Sequence, residues 1–226
     1  MSLADWDVTK SHVDLTVAIE SDRLKLDNDA VKASVYENYI HLIPNSDFNR
    51  GFTIGKIRTK LEITDFNTQF GTYEGMHGIV CMMSQSDVTG GAGDCYCFGL
   101  RNNADLQWLL VKFTAGLEHW LSAGATILGA EDDTLTPAVD TNYALELTWA
   151  YHTLIAGTRL VCKVGLADNN FTDLVTVFDV TDTATPLTTS VGEGIFFADM
   201  DGIGVGDLKR CYFDDTSIVP LAGIPF

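Results

Sequence analysis

Asp207-Leu208-Lys209-Arg210-Cys211-Tyr212-Phe213-Asp214-Asp215-Thr216-Ser217-Ile218-Val219 reads as a late β-strand that brings the chain back into a sheet. Leu208, Cys211, Phe213 and Ile218 share its inward face, and the alternation breaks once, near Asp214-Asp215. The stretch before it, Asp201-Gly202-Ile203-Gly204-Val205-Gly206, is too rich in glycine for a stable helix. Val13, Leu15, Val17 and Ile19 alternate in the same way near the start. Strands at both ends of the chain predict a closed sandwich rather than a sheet grown from one edge.

The segments between repeat the pattern. Leu24 and Leu26 begin a short return strand, and Val35, Tyr39, His41 and Ile43 can share a strand face. Phe52, Ile54, Ile57, Leu61 and Ile63 mark the clearest strand, with the Gly55-Lys56 step read as a bulge. Met76 to Met83 and Cys95 to Leu100 read as neighbouring strands joined by a flexible loop. Leu106 to Phe113 is a further strand, and Leu117 to Leu121 is expected to pair with it. Tyr143, Leu145, Leu147, Trp149 and Tyr151 hold one parity, and Ile155-Ala156-Gly157 turns the chain into Thr158 to Leu166, a hairpin. Leu174 to Val180 and Ile195 to Ala198 complete the series. No long helical stripe interrupts it, so the prediction is all-β, an antiparallel two-sheet sandwich. The 226 residues are expected to form one domain, with an N-terminal segment 1–11 and an apolar C-terminal tail 220–226.

Composition narrows the partners. Hydrophobic residues make up 46% of the chain, enough for a substantial core. The net charge of -17 argues against nucleic acid and against anionic membrane surfaces, which need a cationic footprint. No apolar stretch is long enough to insert into a bilayer, and the acidic start Met1-Ser2-Leu3-Ala4-Asp5-Trp6-Asp7 lacks the apolar segment of a secretory signal. The five cysteines, Cys81, Cys95, Cys97, Cys162 and Cys211, are odd in number and lie in apolar runs, so they are expected to be reduced and structural.

The progression from Asn142 to Val180, followed by Lys209 to Ile218, resembles the later half of a concanavalin A-like or laminin G-like jelly roll. The likeness spans Asp14 to Ile218 and is one of pattern. It implies a jelly-roll fold used by glycan-binding domains, enzymes and structural modules of virus particles.

Motifs for chemistry are weak. The Glu-x-Asp-x-x-Glu strand of related glycosidases is missing; Asp140, Glu146, Asp173, Glu62 and Asp65 do not reproduce it. Arg58-Thr59-Lys60-Leu61-Glu62 faintly resembles one strand of alginate-type lyases, without the companion signatures. The histidines and Cys95-Tyr96-Cys97 form no zinc pattern, and no Gly-x-Ser-x-Gly elbow is present. The expectation is therefore no enzyme, no catalytic residues, no metal site and no cofactor. Calcium is kept open by two oxygen-rich segments, one around Asp199, Asp201 and Asp207, the other holding Asp168, Asn169, Asn170 and Asp173. Among the aromatic residues Trp108, Trp120, Trp149, Tyr96 and Tyr151, packing is the ordinary role; Trp120, beside His119 and a Ser-Ala-Gly loop, is the candidate for an exposed glycan contact.

The leading expectation is a non-enzymatic structural protein of a bacteriophage or related virion, a capsid decoration or tail/fiber component made in the host cytoplasm. Its partners would be other virion proteins or identical subunits, with Leu221, Ile224 and Phe226 of the apolar tail as assembly contacts; docking of that tail on the chain's own domain is the equal alternative. The alternative is a carbohydrate-binding, lectin-like adhesion module recognising a surface glycan. A glycan-active hydrolase or lyase comes third.

Overall fold

The computed structural model describes residues 2–10, 15–28, 37–45, 48–65, 75–85, 93–103, 105–114, 125–131, 133–138, 140–200 and 209–222. Fourteen strands run through them: β1 (Trp6–Lys10), β2 (Leu15–Glu20), β3 (Arg23–Asn28), β4 (Glu37–Pro44), β5 (Ile54–Asp65), β6 (Gly75–Met83), β7 (Asp94–Asn103), β8 (Asp105–Thr114), β9 (Ala125–Glu131), β10 (Asn142–His152), β11 (Gly157–Leu166), β12 (Val175–Asp182), β13 (Gly192–Met200) and β14 (Lys209–Pro220). They form two seven-stranded sheets. Sheet A has the order β1-β4-β13-β6-β7-β8-β9, and sheet B the order β12-β11-β10-β5-β14-β3-β2. All the recorded pairings are antiparallel.

The period of two seen in the sequence becomes an inter-sheet core. Leu145, Leu147 and Trp149 of β10, Ile57 and Leu61 of β5, and Cys211 and Phe213 of β14 meet Ile79 of β6, Phe98 of β7 and Leu110 of β8. Trp108 stands edge-on to Tyr143, ring centroids 5.0 Å apart, and so links β8 to β10. The hairpin of β10 and β11 is in register from Tyr143 opposite Leu166 to His152 opposite Gly157, with Ala156 at φ 46° in its turn.

Two local expectations change. The bulge expected at Gly55-Lys56 is not there, because β5 stays in register with β10 through Gly55 opposite Trp149. Gly55 serves instead to admit the Trp149 indole: a Cβ at that position would lie 2.5 Å from it. The irregularity moves to β14, where pairing with β5 shifts between Asp214 and Ser217, at the break in alternation. Leu117 to Leu121 and Leu208 lie outside the described residues, and the strand paired with β8 is β9, which the sequence reading did not mark. Nor did it mark β1, which pairs with β4 along the edge of sheet A.

A buried polar bridge crosses between the sheets. The Lys112 ammonium on β8 lies 2.8 Å from Asp182 at the end of β12, and Tyr96 of β7 donates to the same carboxylate oxygen at 2.7 Å. Lys112 also donates to Thr185, and the Leu187 amide donates to the Tyr96 hydroxyl at 3.0 Å. Burial opposes ionisation of Asp182, but Lys112 and Tyr96 outweigh it and hold the carboxyl below its ordinary range.

The two outer faces differ in kind. On sheet A, Met76, Val80, Cys97, Leu109, Val111 and Phe196 form a second apolar cluster, each at most 1% exposed. Gly78 and Gly99 face each other across β6 and β7, and a Cβ on Gly99 would lie 2.0 Å from the His77 carbonyl oxygen. On sheet B the outward positions interleave charged residues with small or apolar ones such as Ala144, Thr148 and Val161. Arg23 and Lys25 of β3, Lys56, Arg58 and Lys60 of β5, Arg159 and Lys163 of β11, and Arg210 of β14 lie there, eight of the chain's 14 lysines and arginines.

Candidate functional site

A cleft of about 550 Å³ opens beside β14, between the edge of sheet A and the inner side of the β14 bulge. Trp6, Phe48, Asn49 and Phe52 line one side with Asp5; Asp214, Asp215 and Thr216 line the other.

The first wall begins with a single 3-10 turn, Leu3–Asp5. Ser2 caps it: its hydroxyl accepts from the Ala4 amide at 3.2 Å, and the Asp5 carboxylate accepts from the Ser2 amide at 3.3 Å. Asn45 ties this turn to the following loop, its side-chain amide donating to the Ala4 carbonyl at 2.5 Å and its backbone amide to the Asp5 carbonyl at 2.9 Å. Arg50 donates to Asp7 at 2.6 Å and to the Pro44 carbonyl at 2.7 Å. Phe48 is 49% exposed, and its ring faces the opening.

Behind this loop lies Glu193 of β13, fully buried. Its carboxylate accepts from the Gly51 amide at 3.0 Å, the Phe52 amide at 3.3 Å and the Ser190 hydroxyl at 3.3 Å. Burial pushes its pKa up to about 7, against those hydrogen bonds and the nearby Arg50 charge. Gly51 sits at φ 81°, and a Cβ there would meet the Ser190 carbonyl oxygen at 2.9 Å. The Trp149 indole donates to the Phe52 carbonyl at 2.7 Å. The aromatic wall is thus fixed from below by buried groups of both sheets.

The second wall is the β14 bulge. Thr216 and the buried Thr59 share a hydroxyl hydrogen bond of 2.7 Å, and Thr59 lies 3.2 Å from the Asp214 carbonyl. Asp215 takes a left-handed φ of 48°, its amide held by the Asp214 carboxylate at 2.8 Å and its own carboxylate by Lys60 at 2.5 Å. Each cleft carboxylate therefore already has a structural partner. Among the described residues the carboxyl raised toward neutrality is Glu193, which is buried behind the wall and does not line the cleft, so it cannot reach a substrate proton there.

The residues singled out from sequence fare differently. Trp120 and His119 lie outside the described residues, as do Ile224 and Phe226. Leu221 is half-buried, and its amide donates to the Ile54 carbonyl at 3.3 Å, continuing β14 along β5. Trp108, Trp149 and Tyr96 are buried and available to no ligand. The carboxylates weighed for catalysis stay apart: Glu146 pairs with Arg58, Glu62 with Arg23, and Asp140 and Asp173 stand exposed in turns. The Arg58-to-Glu62 strand thus spends its charges on ion pairs. All five cysteines are free and buried. Among the described residues no three histidine, cysteine, aspartate or glutamate side chains converge on a metal position. Asp168, Asn169 and Asn170 form a short turn, and Asp201 and Asp207 lie outside the described residues. The cleft itself was missed because Trp6 and Phe48 come from segments with no marked periodicity, and Phe52, read as the first residue of a strand, lies just before β5 begins at Ile54; Phe48 within a polar Asn-Ser-Asp-Phe-Asn run was the signal available.

No protein-family model and no curated protein sequence matches the chain. Solved structures do. A variant of the alginate lyase Aly36B, in complex with an alginate trisaccharide, superposes with a TM-score of 0.54 at 12% identity, covering 91% of this chain and 84% of that one. A legume lectin-like domain from Entamoeba histolytica gives 0.53 at 8% identity, covering 97% and 92%. The exoplasmic/lumenal domain of VIP36, in a Ca2+- and mannose-bound form, gives 0.53 at 12% identity, covering 97% and 84%. The neighbours include both enzymes and lectins, so the likeness establishes architecture alone. The chain has the concanavalin A-like, legume lectin-like jelly-roll fold.

Proposed function

We propose that the protein is a non-enzymatic carbohydrate-binding module that seats a neutral glycan in the cleft beside β14. The observation that carries this reading is the convergence of Trp6, Phe48 and Phe52 with Asp5, Asn49, Asp214 and Thr216 in one cleft of about 550 Å³. Aromatic faces pack on the C–H faces of sugar rings, while carboxylate, amide and hydroxyl oxygens accept or share the ring hydroxyl protons. The acidic rim favours an uncharged sugar over an anionic one. Lectin-like neighbours support the class. Calcium is not required by these residues; if bound, its ligands would come from elsewhere in the chain.

Titration of neutral oligosaccharides by calorimetry tests the reading. A neutral oligosaccharide should bind the wild-type protein, and Phe48→Ala should weaken it by about tenfold, or about 1.4 kcal/mol, with the fold intact. The same sugars should be recovered uncleaved. Binding untouched by Phe48→Ala and Trp6→Ala together would remove the cleft, and turnover would replace the module with an enzyme.

The virion role draws on the acid balance, the lack of a catalytic motif and the apolar tail 220–226. It is compatible with glycan binding, since an adhesion module on a particle needs both. Loss of particle incorporation on deleting residues 220–226, with β-structure retained, is its expected signature.

A further inference from the structure

The centre of the outer face of sheet B holds three cations on one carboxylate. Glu146 of β10, only 5% exposed, accepts from Arg58 Nε at 2.6 Å, with Lys163 Nζ at 3.5 Å and Lys56 Nζ at 4.0 Å. Lys56 and Arg58 are alternate residues of one strand, about 7 Å apart, and Lys163 stands across β10 from them, in register with Glu146. Among the described residues none of the three cations has a second acidic partner, whereas Lys60, next in the row, is paired with Asp215. Two positive charges are therefore left over in a chain of net charge -17, and like charges crowded on one sheet face repel. The guanidinium of Arg58 also lies 5.6 Å from the centre of the Phe171 ring. Phe171 occupies φ 65° directly after Asn170 at φ 46°. A bulky residue in the left-handed region is strained, and strain of this kind gathers where a side chain must be aimed.

We propose that Lys56, Arg58, Lys163 and Phe171 form a second site, for a sugar ring carrying a carboxylate or sulfate. The oxyanion takes charge-assisted hydrogen bonds from the outer guanidinium nitrogens of Arg58 and from the two ammonium groups. The ring lies against Phe171. Glu146 holds the three cations in place and keeps the unliganded site from flying apart. This site is separate from the cleft: it lies on the outer side of sheet B, while Thr216 and Ile218 of the cleft turn to the inner side of β14.

The test is calorimetry with four probes: a galacturonate hexamer, a sulfated galactose hexamer, a neutral galactose hexamer and inorganic sulfate. The charged hexamers should bind and weaken as salt is raised. The double variant Lys56→Ser/Lys163→Ser should lose their binding by at least about tenfold while leaving neutral-sugar binding at the cleft unchanged. Phe171→Ser should weaken the charged hexamers and leave inorganic sulfate unaffected. If a variant fails to fold, amide shifts in the wild-type spectrum decide, since a charged hexamer should move residues 56, 58, 148, 163 and 171. The proposal fails if charged hexamers do not bind the wild type, if the double variant binds them equally well, if the shifts fall elsewhere, or if an oligonucleotide of equal charge binds as tightly. Failure of the Phe48 variants to affect neutral sugars would strike the cleft reading alone.

Discussion

The two sheets each have seven antiparallel strands, yet the outer face of one is dry and that of the other carries most of the molecule's positive charge. On sheet A, Val111, Leu109 and Cys97 are as buried outside the sheet as Leu110 and Phe98 are between the sheets. On sheet B, the positions outside Leu145 and Leu147 hold Glu146 and its ring of cations. A strand buried on both faces has no polar side to give away, so the central strands of sheet A pack on both of their faces. Sheet B keeps a face for solvent, and for whatever the solvent contains.

The same substitution on the two faces should break this comparison most sharply. Val111→Lys places an ammonium in the dry cluster without a counter-ion. It is expected to destabilise by several kcal/mol, on the order of 4 or more, and to leave little folded protein in a urea titration. Val161→Lys, 9% exposed on the outer face of β11 but opposite the Asp179 carboxylate, should cost less, about 2 kcal/mol or below. Equal costs would show that the faces are not different in kind.

The bridge between the sheets comes next. Lys112→Ala leaves the Asp182 carboxylate buried beside Tyr96 without its ammonium, at an expected cost of about 3–5 kcal/mol. Replacing both partners by apolar residues, Lys112→Met with Asp182→Leu, should recover much of that loss. A double variant as unstable as the single one would mean that the bridge itself, and not the orphaned charge, holds the sheets together.

Glu193 gives the smallest effect and sharpens the link between sheet A and the cleft. Its folded pKa, about 7, lies above its value in the unfolded chain, so the folded state binds the extra proton. Its contribution is fully present below the unfolded value and is lost as pH rises toward about 7. The slope is at most about 1.4 kcal/mol per pH unit. Glu193→Gln should flatten stability over that window relative to wild type, measured by urea midpoints at several pH values. An unchanged pH profile would place the titration elsewhere.

Sheet B was the legible half of the fold. Arg58-Thr59-Lys60-Leu61 and Leu145-Glu146-Leu147-Thr148-Trp149 alternate because one side of each strand meets water, and their register follows from that period. The strands of sheet A announce themselves as unbroken apolar runs such as Val80-Cys81-Met82-Met83, in which neither face can be named. Met82 shows why: at φ 51° it turns into the core beside Cys81, so consecutive residues share one cluster. The cleft was less legible still. Trp6 and Asp214 are 208 positions apart, and only the pairing of β1 with β4 and the bulge of β14 bring their segments to one opening. Aromatic residues chosen by parity, such as Trp149, were rightly assigned to packing. The exposed Phe48 has no parity to read.

The buried thiols turn the molecule into its own recorder of opening. Cys81, Cys95 and Cys97 belong to sheet A, and Cys162 and Cys211 to sheet B. Burial pushes the thiols of Cys81, Cys97, Cys162 and Cys211 well above their ordinary range, so the reactive thiolate is scarce while the sheets are closed. A thiol reagent can then write its mark only during an excursion that bares the strand. The order in which the marks accumulate is a timed transcript of which sheet lets go first.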